Sequence, residues 1–207
     1  MRPRPLRVAL TGGIATGKSY CLQRFVSLGA PTVDADALAH AALAPGSAGA
    51  AAVLAAFGTV DRTELGALVF SNADARRKLE AIIHPLVYEG VEGFFRGLKA
   101  SAPFGIADIP LLFETGRERD FDRVIVTSCR PEQQRARLIA RGLSPADANA
   151  RIASQMSFEE KLLQAKSNGL RRDVVDVIDT SGTEAETDRQ VRRLTDVLAS
   201  LPPRVCS

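Results

Sequence analysis

The sequence predicts an α/β fold in which a parallel sheet of five strands lies between two layers of helices. Three observations support this prediction: short apolar runs, helical patterns between them, and a glycine-rich turn directly after the first run. Alternating strands and helices produce parallel strands with right-handed crossovers. The predicted strands are residues 7–11, 31–33, 104–109, 122–127 and 174–178, and a helical pattern separates each from the next.

The first predicted strand leads into the strongest motif of the chain. Residues 12–19 match G-x-x-x-x-G-K-[ST], in which glycines let the backbone wrap closely around phosphate oxygens. Lys18 is expected to reach the β- and γ-phosphates of a nucleotide, and the Ser19 hydroxyl to bind Mg²⁺. The alternative is a chance glycine-rich turn, which the order of strand, loop and helix disfavours. The predicted nucleotide-binding residues are Gly13, Ile14, Ala15, Thr16, Gly17, Lys18, Ser19 and Tyr20.

Two carboxylates, Asp34 and Asp36, follow the second predicted strand. Ligands of an open α/β sheet bind outside the carboxyl ends of its strands, so a carboxylate here could deprotonate an attacking hydroxyl. The chain also turns helical at this point, and both residues could instead be helix caps. We favour a division in which Asp34 is a cap or a metal ligand and Asp36 faces the substrate hydroxyl.

Residues 35–103 separate the second strand from the third and are helical in character almost throughout. We interpret them as a helical insertion beside the nucleotide site. Because proline suits the first turn of a helix and disfavours a helical residue before it, His84-Pro85 predicts a joint between two helices. His84 is either structural or a contact to a substrate phosphate. The helical stretches are residues 35–44, 48–56, 65–70, 73–83 and 85 to about 99.

Asp108 lies near the end of the third predicted strand. An acidic residue in this place suits a Walker-B-like position, where it supports Mg²⁺ directly or through water. The alternative is an ordinary surface carboxylate at a strand end. Leu111 follows shortly afterwards and is a candidate substrate contact, although apolar residues such as Leu111, Leu112 and Phe113 are more often part of a core.

A charged helical stretch covers residues 131–166. Arg137 and Arg141 are four residues apart, which places them on one face of a helix. Two guanidinium groups facing a phosphate site would neutralise charge that develops during phosphoryl transfer, whereas the alternative is a solvated basic face. Ser144-Pro145 predicts an N-cap and a first helical position, so the end of this stretch is interpreted as a lid-like hairpin.

Composition excludes several classes of protein. The net charge of +3 and the 5% of aromatic residues give no sign of a nucleic-acid-binding surface. No apolar stretch reaches the roughly 18 residues of a membrane span, and no secretory signal is visible. We expect a cytoplasmic protein that is a monomer or a weak homo-oligomer, without nucleic-acid or membrane partners. The wide spacing and odd number of Cys21, Cys129 and Cys206 disfavour a zinc site or a disulfide framework.

Blocks that run in order through nearly the whole chain resemble the dephospho-CoA kinases, which are P-loop kinases similar to the nucleoside-monophosphate kinases. The loop is common to many proteins, whereas Asp-Ala-Asp, His-Pro-Leu and Pro-Leu-Leu-Phe-Glu in series are specific. The blocks are Leu10-Thr-Gly-Gly-Ile-Ala-Thr-Gly-Lys-Ser19, Val33-Asp-Ala-Asp36, Glu80-Ala-Ile-Ile-His-Pro-Leu86, Asp108-Ile-Pro-Leu-Leu-Phe-Glu114, Arg137 with Arg141, Arg151-Ile-Ala-Ser-Gln155 and Val177-Ile-Asp-Thr-Ser-Gly182.

The resemblance implies a three-layer P-loop kinase fold with a parallel five-stranded sheet, a helical substrate (CoA) insertion and a helical lid. The nucleotide-binding core would be residues 1–34 and 104–207, with the lid at about 142–166, and the insertion would be residues 35–103. The implied reaction transfers the γ-phosphoryl group of ATP to the ribose 3′-hydroxyl of dephospho-CoA, with ATP and Mg²⁺ as cofactors. The turn at residues 179–182 is expected near the adenine of ATP.

The resemblance also distributes roles among the candidate residues. The implied catalytic residues are Asp36 as the base, together with Lys18, Arg137 and Arg141. The implied substrate contacts are Asp36, His84, Asp108 and Leu111, and the candidate metal ligands are Ser19, Asp34 and Asp108.

The chain departs from the family pattern in three places. Ala15 replaces a usual glycine of the loop, the loop after Gly58 is short, and residues 166–173 resemble an insertion. Two other functions remain open: a P-loop kinase of another small metabolite, such as a nucleoside monophosphate or a sugar acid, and a non-catalytic nucleotide switch. A guanine-specific switch would carry an Asn-Lys-x-Asp motif, which the sequence lacks.

Overall fold

The computed structural model describes residues 3–170, 174–202 and 204–205. The chain forms two compact units. One contains the residues up to Val33 and from Leu98 onward, and the other contains Asp34–Gly97. The predicted insertion, residues 35–103, differs from the second unit at its end because residues 98–103 group with the first unit. Cys206 lies outside the described residues, and so do residues 171–173, the end of the segment 166–173 that resembles an insertion relative to the family.

The first unit is built on a sheet whose five strands follow the order β3-β4-β2-β5-β6 and run parallel. Their bounds lie within one residue of the prediction, which is thereby confirmed. Gly12, at the end of β2, lies opposite Thr127 of β5, and Leu10 lies opposite Asp108 of β4. The strands are β2 (Leu6–Gly12), β3 (Thr32–Asp34), β4 (Phe104–Asp108), β5 (Arg123–Ser128) and β6 (Val175–Asp179).

Two further strands were not predicted. Strand β1 (Pro3–Arg4) pairs antiparallel with β7 (Arg204–Val205). A two-residue strand has no detectable period, so its pairing depends on tertiary contacts. One such contact is the ion pair between Arg4 and Asp122, with 2.6 Å between nitrogen and oxygen.

Helices cover the sheet of the first unit. Helices α1 and α9 pack on one face, where Val8, Leu10, Ile106 and Ile178 are almost completely buried. Each such aliphatic side chain stabilises the fold by about 1.5–3 kcal/mol when it is removed from water. The helices of this unit are α1 (Lys18–Ser27), α6 (Pro131–Ala140), α7 (Pro145–Ala153), α8 (Phe158–Ser167) and α9 (Glu184–Ser200).

The starts of the helices follow local rules. The Ser144 side chain accepts a hydrogen bond from the Asp147 N–H, which confirms the predicted N-cap with Pro145 at the first helical position. Helices α8 and α9 begin with capping boxes, formed by Ser157 with Glu160 and by Thr183 with Glu186.

One expectation about the connections was wrong. Between β4 and β5 there is no α-helix in the described chain, only turns and a 3-10 helix at Glu118–Asp120. Residues 109–122 still form the crossover connection that parallel strands need. This connection passes β2, which lies between β4 and β5 in the sheet. The run from Leu111 to Phe113 folds as turns, with Leu112 and Phe113 buried.

The second unit is helical, and its longest helix corrects the prediction of a joint at His84-Pro85. Pro85 lies inside a single helix of 25 residues. An interior proline removes one backbone hydrogen bond and costs about 3 kcal/mol, but a buried stripe of Ile83, Val87, Val91 and Phe95 continues across it. The helices are α2 (Ala35–Ala42), α3 (Ala48–Phe57), α4 (Arg62–Ser71) and α5 (Ala73–Gly97).

Packing within the second unit explains why α5 stays continuous. Helix α5 contacts α2, α3 and α4. A methyl group on Gly90 of α5 would lie 2.9 Å from a methyl carbon of Leu38 on α2, so the two helices approach closely there. Among the described residues, no helix combines the length and the apolar character needed to cross a membrane.

Candidate active site

The loop between β2 and α1 has a backbone that demands glycine at two positions. Gly17 has a φ of +86°, and a Cβ on it would lie 3.0 Å from the Thr180 side chain. A Cβ on Gly12 would lie 2.0 Å from Thr127 Oγ1, which leaves no room for any side chain. These two fixed glycines of the motif therefore serve close approach and a left-handed backbone.

The carbonyl groups of residues 13–16 in the loop are each bound by a side-chain donor of the protein. The donor and acceptor pairs are Thr16 Oγ1 to the Gly13 carbonyl at 2.8 Å, Gln134 Nε2 to Ile14 at 2.6 Å, Arg137 Nη1 to Ala15 at 3.1 Å, and Thr180 Oγ1 to Thr16 at 2.8 Å.

The N–H groups of the loop are only partly used. Those of Ile14 and Thr16 are bound by the Gln155 side chain and by the Gly13 carbonyl. Within the described chain, the backbone N–H groups of Ala15, Gly17, Lys18 and Ser19 have no acceptor in the protein. Gly17 is the N-cap of α1 and supplies no side-chain cap, so the positive end of the helix adds to the same place. Converging N–H groups at a helix N-terminus form a binding site for an anion such as phosphate.

Lys18 lies beside the loop and pairs with Asp108. Its ammonium nitrogen is 2.5 Å from one carboxylate oxygen of Asp108 and 2.6 Å from the other. Both side chains are largely buried, with exposed fractions of 16% for Lys18 and 6% for Asp108. The structure therefore brings together the predicted phosphate-binding lysine and the predicted metal-supporting carboxylate.

Arg137 lies in the last turn of α6 and Arg141 follows the helix, and both line one cavity. Arg137 donates to the Ala15 carbonyl, to Thr180 Oγ1 at 2.9 Å and to the Thr180 carbonyl at 2.7 Å. It thereby ties the loop to the turn after β6. Arg141 is the residue that ends α6 and lines a cavity of about 370 Å³. The cavity is also lined by Gly17, Tyr20, Arg137, Thr180 and Gly182, among others.

The other predicted site residues have their own local environments. Asp34 is the N-cap of α2, where its Oδ1 accepts from the N–H groups of Asp36 and Ala37. Asp36 occupies the first turn of α2. His84 lies inside α5, and its ring is nearly perpendicular to that of Tyr88, with the two ring centres 6.3 Å apart. Leu111, in the first unit, is 48% exposed.

Sequence reasoning missed three residues of the site. Gln134 and Gln155 bind Ile14, and the buried Thr180 contacts both the loop and Arg137. Gln155 and Thr180 lie within two of the blocks that carried the family resemblance. Membership of these blocks was the signal that could have identified them as site residues. Lys161 of α8 is also buried and pairs with Glu114 at 2.5 Å.

The described cysteines act as packing residues. Cys21 is completely buried, and burial raises the pKa of its thiol to about 12. Burial also raises the pKa of Cys129. Both thiols are therefore protonated and poorly reactive at neutral pH. No cluster of three or more His, Cys, Asp or Glu side chains suited to a metal ion exists among the described residues.

Comparisons with known proteins agree with this geometry. The sequence profile of the dephospho-CoA kinase family matches residues 6–170. A dephospho-CoA kinase of Methylococcus capsulatus is 39% identical, covering 91% of this chain and 96% of that protein. One from Cutibacterium acnes is 42% identical, covering 91% and 83%.

Solved structures agree as well. A dephospho-CoA kinase from Campylobacter jejuni superposes with a TM-score of 0.68 at 27% identity, covering 93% of this chain and 96% of the other. The Thermus thermophilus protein TT1252 superposes with a TM-score of 0.76 at 32% identity, covering 96% and 98%. This chain, with its phosphate-binding loop, parallel sheet and matching sequence, belongs to the dephospho-CoA kinase family.

Proposed function

We propose that this chain transfers the γ-phosphoryl group of ATP to the ribose 3′-hydroxyl of dephospho-CoA, giving CoA and ADP as the last step of CoA biosynthesis. The observation that carries the proposal is that, among the described residues, the N–H groups of Ala15, Gly17, Lys18 and Ser19 have no protein acceptor, in a member of this family. Four N–H groups and one ammonium group match the charge and the acceptor oxygens of a triphosphate.

In the proposed reaction, the 3′-hydroxyl oxygen attacks the γ-phosphorus in line with the bond to the bridging oxygen. That bond breaks, its electron pair leaves with ADP, and the hydroxyl proton passes to Asp36. Asp36 follows β3 by two residues, in the first turn of α2. Support for its role comes from the family-like Asp-Ala-Asp block, and His84 and Leu111 are proposed on the dephospho-CoA side for the same reason.

The residues at the loop also suit a magnesium ion. Mg²⁺ is usually held by one or two protein oxygens together with substrate phosphates, so a small donor set suffices. We assign the Ser19 hydroxyl and Asp108 as its protein ligands, with Asp34 as a further candidate. When bound, the ion would neutralise charge on the β- and γ-phosphates.

The cavity lined by Arg141 and Gly182 is the proposed site of the adenine. Its volume of about 370 Å³ and its position beside Gly17 support this assignment. Tyr20 lines the same cavity. Arg137 and Arg141 are proposed to stabilise charge on the transferred phosphoryl group when the lid closes. Arg137 would then exchange part of its contacts with Ala15 and Thr180, and Arg141 would turn from the adenine cavity toward the phosphates.

A panel of acceptors tests the reaction. Dephospho-CoA, a nucleoside monophosphate and a sugar acid are each incubated with ATP, and ADP release and the phosphorylated product are measured. We expect turnover with dephospho-CoA alone. Turnover with another acceptor would favour a kinase of that metabolite. ATP hydrolysis that no acceptor accelerates would favour a nucleotide switch.

We also propose that the protein is cytoplasmic, acts without nucleic-acid or membrane partners, and is a monomer or a weak homo-oligomer. The family's small-molecule substrates support this proposal. Light scattering across a concentration series, with and without ATP, measures the oligomeric state.

A further inference from the structure

Two glutamine side chains bind the backbone of Ile14. Its N–H donates to Gln155 Oε1 at 2.6 Å, and its carbonyl accepts from Gln134 Nε2 at 2.6 Å. The two partners fix the amide orientations, because Gln155 has to present its oxygen and Gln134 its nitrogen. Gln134 belongs to α6, whereas Gln155 lies in the turn between α7 and α8. The loop is therefore held by two separate elements.

Both amides also lie over the neighbouring Gly13. A methyl group on Gly13 would be 3.3 Å from Gln134 Nε2 and 3.5 Å from Gln155 Oε1. Among the backbone N–H groups of residues 14–19 in the described chain, those of Ile14 and Thr16 are the ones bound by protein acceptors. The Ile14 N–H is bound by a side chain in the turn between α7 and α8.

The next residue needs this support. Ala15 has a φ of +59°, and a left-handed conformation costs a residue with a Cβ about 1–2 kcal/mol. Such a conformation persists where the surroundings hold it. Ile14 is fixed on one side, the Ala15 carbonyl is bound by Arg137, and the Ala15 methyl group packs in a buried cluster with Leu138 and Ala148.

We propose that Gln155 is a positioning residue for the ATP site. Through its bond to the Ile14 N–H, it holds Ala15 in the left-handed conformation and keeps the Ala15 N–H turned toward the phosphates. The inference rests on the proposed function for the identity of the nucleotide. It also means that a displacement of the turn between α7 and α8 changes the affinity of the loop for ATP.

The test compares three variants of the full chain. Gln155→Met keeps the length of the side chain and removes the acceptor, whereas Gln155→Glu keeps an acceptor. Gln164→Met is the matched control, because Gln164 of α8 donates to the Phe113 carbonyl and, among the bonds described, makes none to the loop. Each variant is measured by ATP titration calorimetry, by NMR hydrogen exchange of the Ile14 amide, and by the KM values of both substrates.

We expect Gln155→Met to weaken ATP binding about five- to tenfold and to speed exchange at Ile14, in keeping with the loss of one hydrogen bond. The KM for dephospho-CoA should stay within twofold of the wild-type value. Gln155→Glu should restore the slow exchange, because its carboxylate accepts the same bond. Gln164→Met should leave ATP affinity and Ile14 exchange unchanged.

Several results would overturn the proposal. One is a Gln155→Met protein with wild-type Ile14 exchange, even if its Tm is lower. Another is tighter ATP binding, which would mean that the Gln155 oxygen occupies the place of a phosphate oxygen. Equal weakening by Gln164→Met would indicate general loosening of the lid. ATP affinity is measured without an acceptor, so a failure to phosphorylate dephospho-CoA would be recognised separately.

Discussion

Lys18 and Asp108 form an ion pair in which the ammonium nitrogen lies 2.5 Å and 2.6 Å from the two carboxylate oxygens. The carboxylate competes with phosphate for the same cation. We therefore expect Asp108→Asn to strengthen ATP binding in EDTA roughly three- to tenfold, since a charge-assisted bond no longer has to be exchanged. Turnover with Mg²⁺ should fall.

Titration of ATP with and without Mg²⁺ checks this expectation. Asp176→Asn is the control, because it removes another ion-paired carboxylate, one that binds Arg123 on the sheet. Weaker binding of ATP to Asp108→Asn in EDTA would show that the carboxylate supports the lysine instead of competing for it.

The proposed base is tested by Asp36→Asn. An asparagine cannot accept the hydroxyl proton, so kcat should fall by about 10²–10⁴-fold while the affinity for ATP stays within a factor of two. Single-turnover kinetics and ATP titration measure the two quantities. A variant with the wild-type rate would remove Asp36 from the mechanism.

Thr180 is predicted to hold the loop and α6 together. Its buried hydroxyl donates to the Thr16 carbonyl and accepts from Arg137. Thr180→Val keeps the shape and leaves these partners unsatisfied, so unfolding free energy should fall by about 1–3 kcal/mol and the KM for ATP should rise.

Urea unfolding and steady-state kinetics measure these effects. Thr195→Val is the matched control, because the Thr195 hydroxyl only donates to a carbonyl within its own helix among the bonds described. Equal effects of the two substitutions on the KM for ATP would contradict the role given to Thr180.

Because Ala15 is left-handed, two substitutions there should have different effects on stability. Ala15→Gly relieves backbone strain and loses a buried methyl group, so stability should change by no more than about 1 kcal/mol. Ala15→Val places a β-branched side chain at φ +59° and should cost about 2–3 kcal/mol or more. Equal stability of the two variants in urea unfolding would argue against the conformation.

The cap of α9 predicts a dependence of stability on pH. The Thr183 backbone N–H donates to Glu186, which lowers the pKa of the Glu186 carboxyl. Because the folded pKa is the lower one, the stabilisation is present above the ordinary glutamate pKa and is lost as pH falls through the folded value. The Tm difference between wild type and Glu186→Gln should therefore be present at pH 7 and disappear in acid.

Differential scanning calorimetry from pH 7 to pH 3 measures this difference. Glu184→Gln is the control, because it removes one charge from the same helical turn and leaves the bond to Thr183 intact. A Tm difference for Glu186→Gln that does not change with pH would show that the charge of the carboxylate does not account for the stabilisation.

The sheet and the loop were predictable because their signals are local. Apolar runs gave the strands to within one residue, and a fixed spacing of glycines, lysine and serine gave the phosphate-binding loop. The rule that proline begins a helix failed at Pro85, because packing of Val87 and Val91 within the second unit outweighs one lost hydrogen bond.

The surroundings of the loop were harder to predict. Gln134, Gln155 and Thr180 are separated by more than a hundred residues from the loop atoms that they bind. No periodicity or spacing connects positions so far apart, and their amide and hydroxyl groups have many possible partners. The ion pair of Lys18 with Asp108 arises in the same way, from the register of β2 with β4.

The bound carbonyls of the loop have a consequence for which positions can vary. In the proposed complex, phosphate is bound by main-chain N–H groups and the Lys18 ammonium, so the side chain of Ile14 can change without altering the chemistry. The residues that bind the loop backbone are the ones whose side chains are constrained. Saturation mutagenesis should therefore find that Ile14 tolerates many substitutions, whereas Gln134, Arg137 and Thr180 tolerate few.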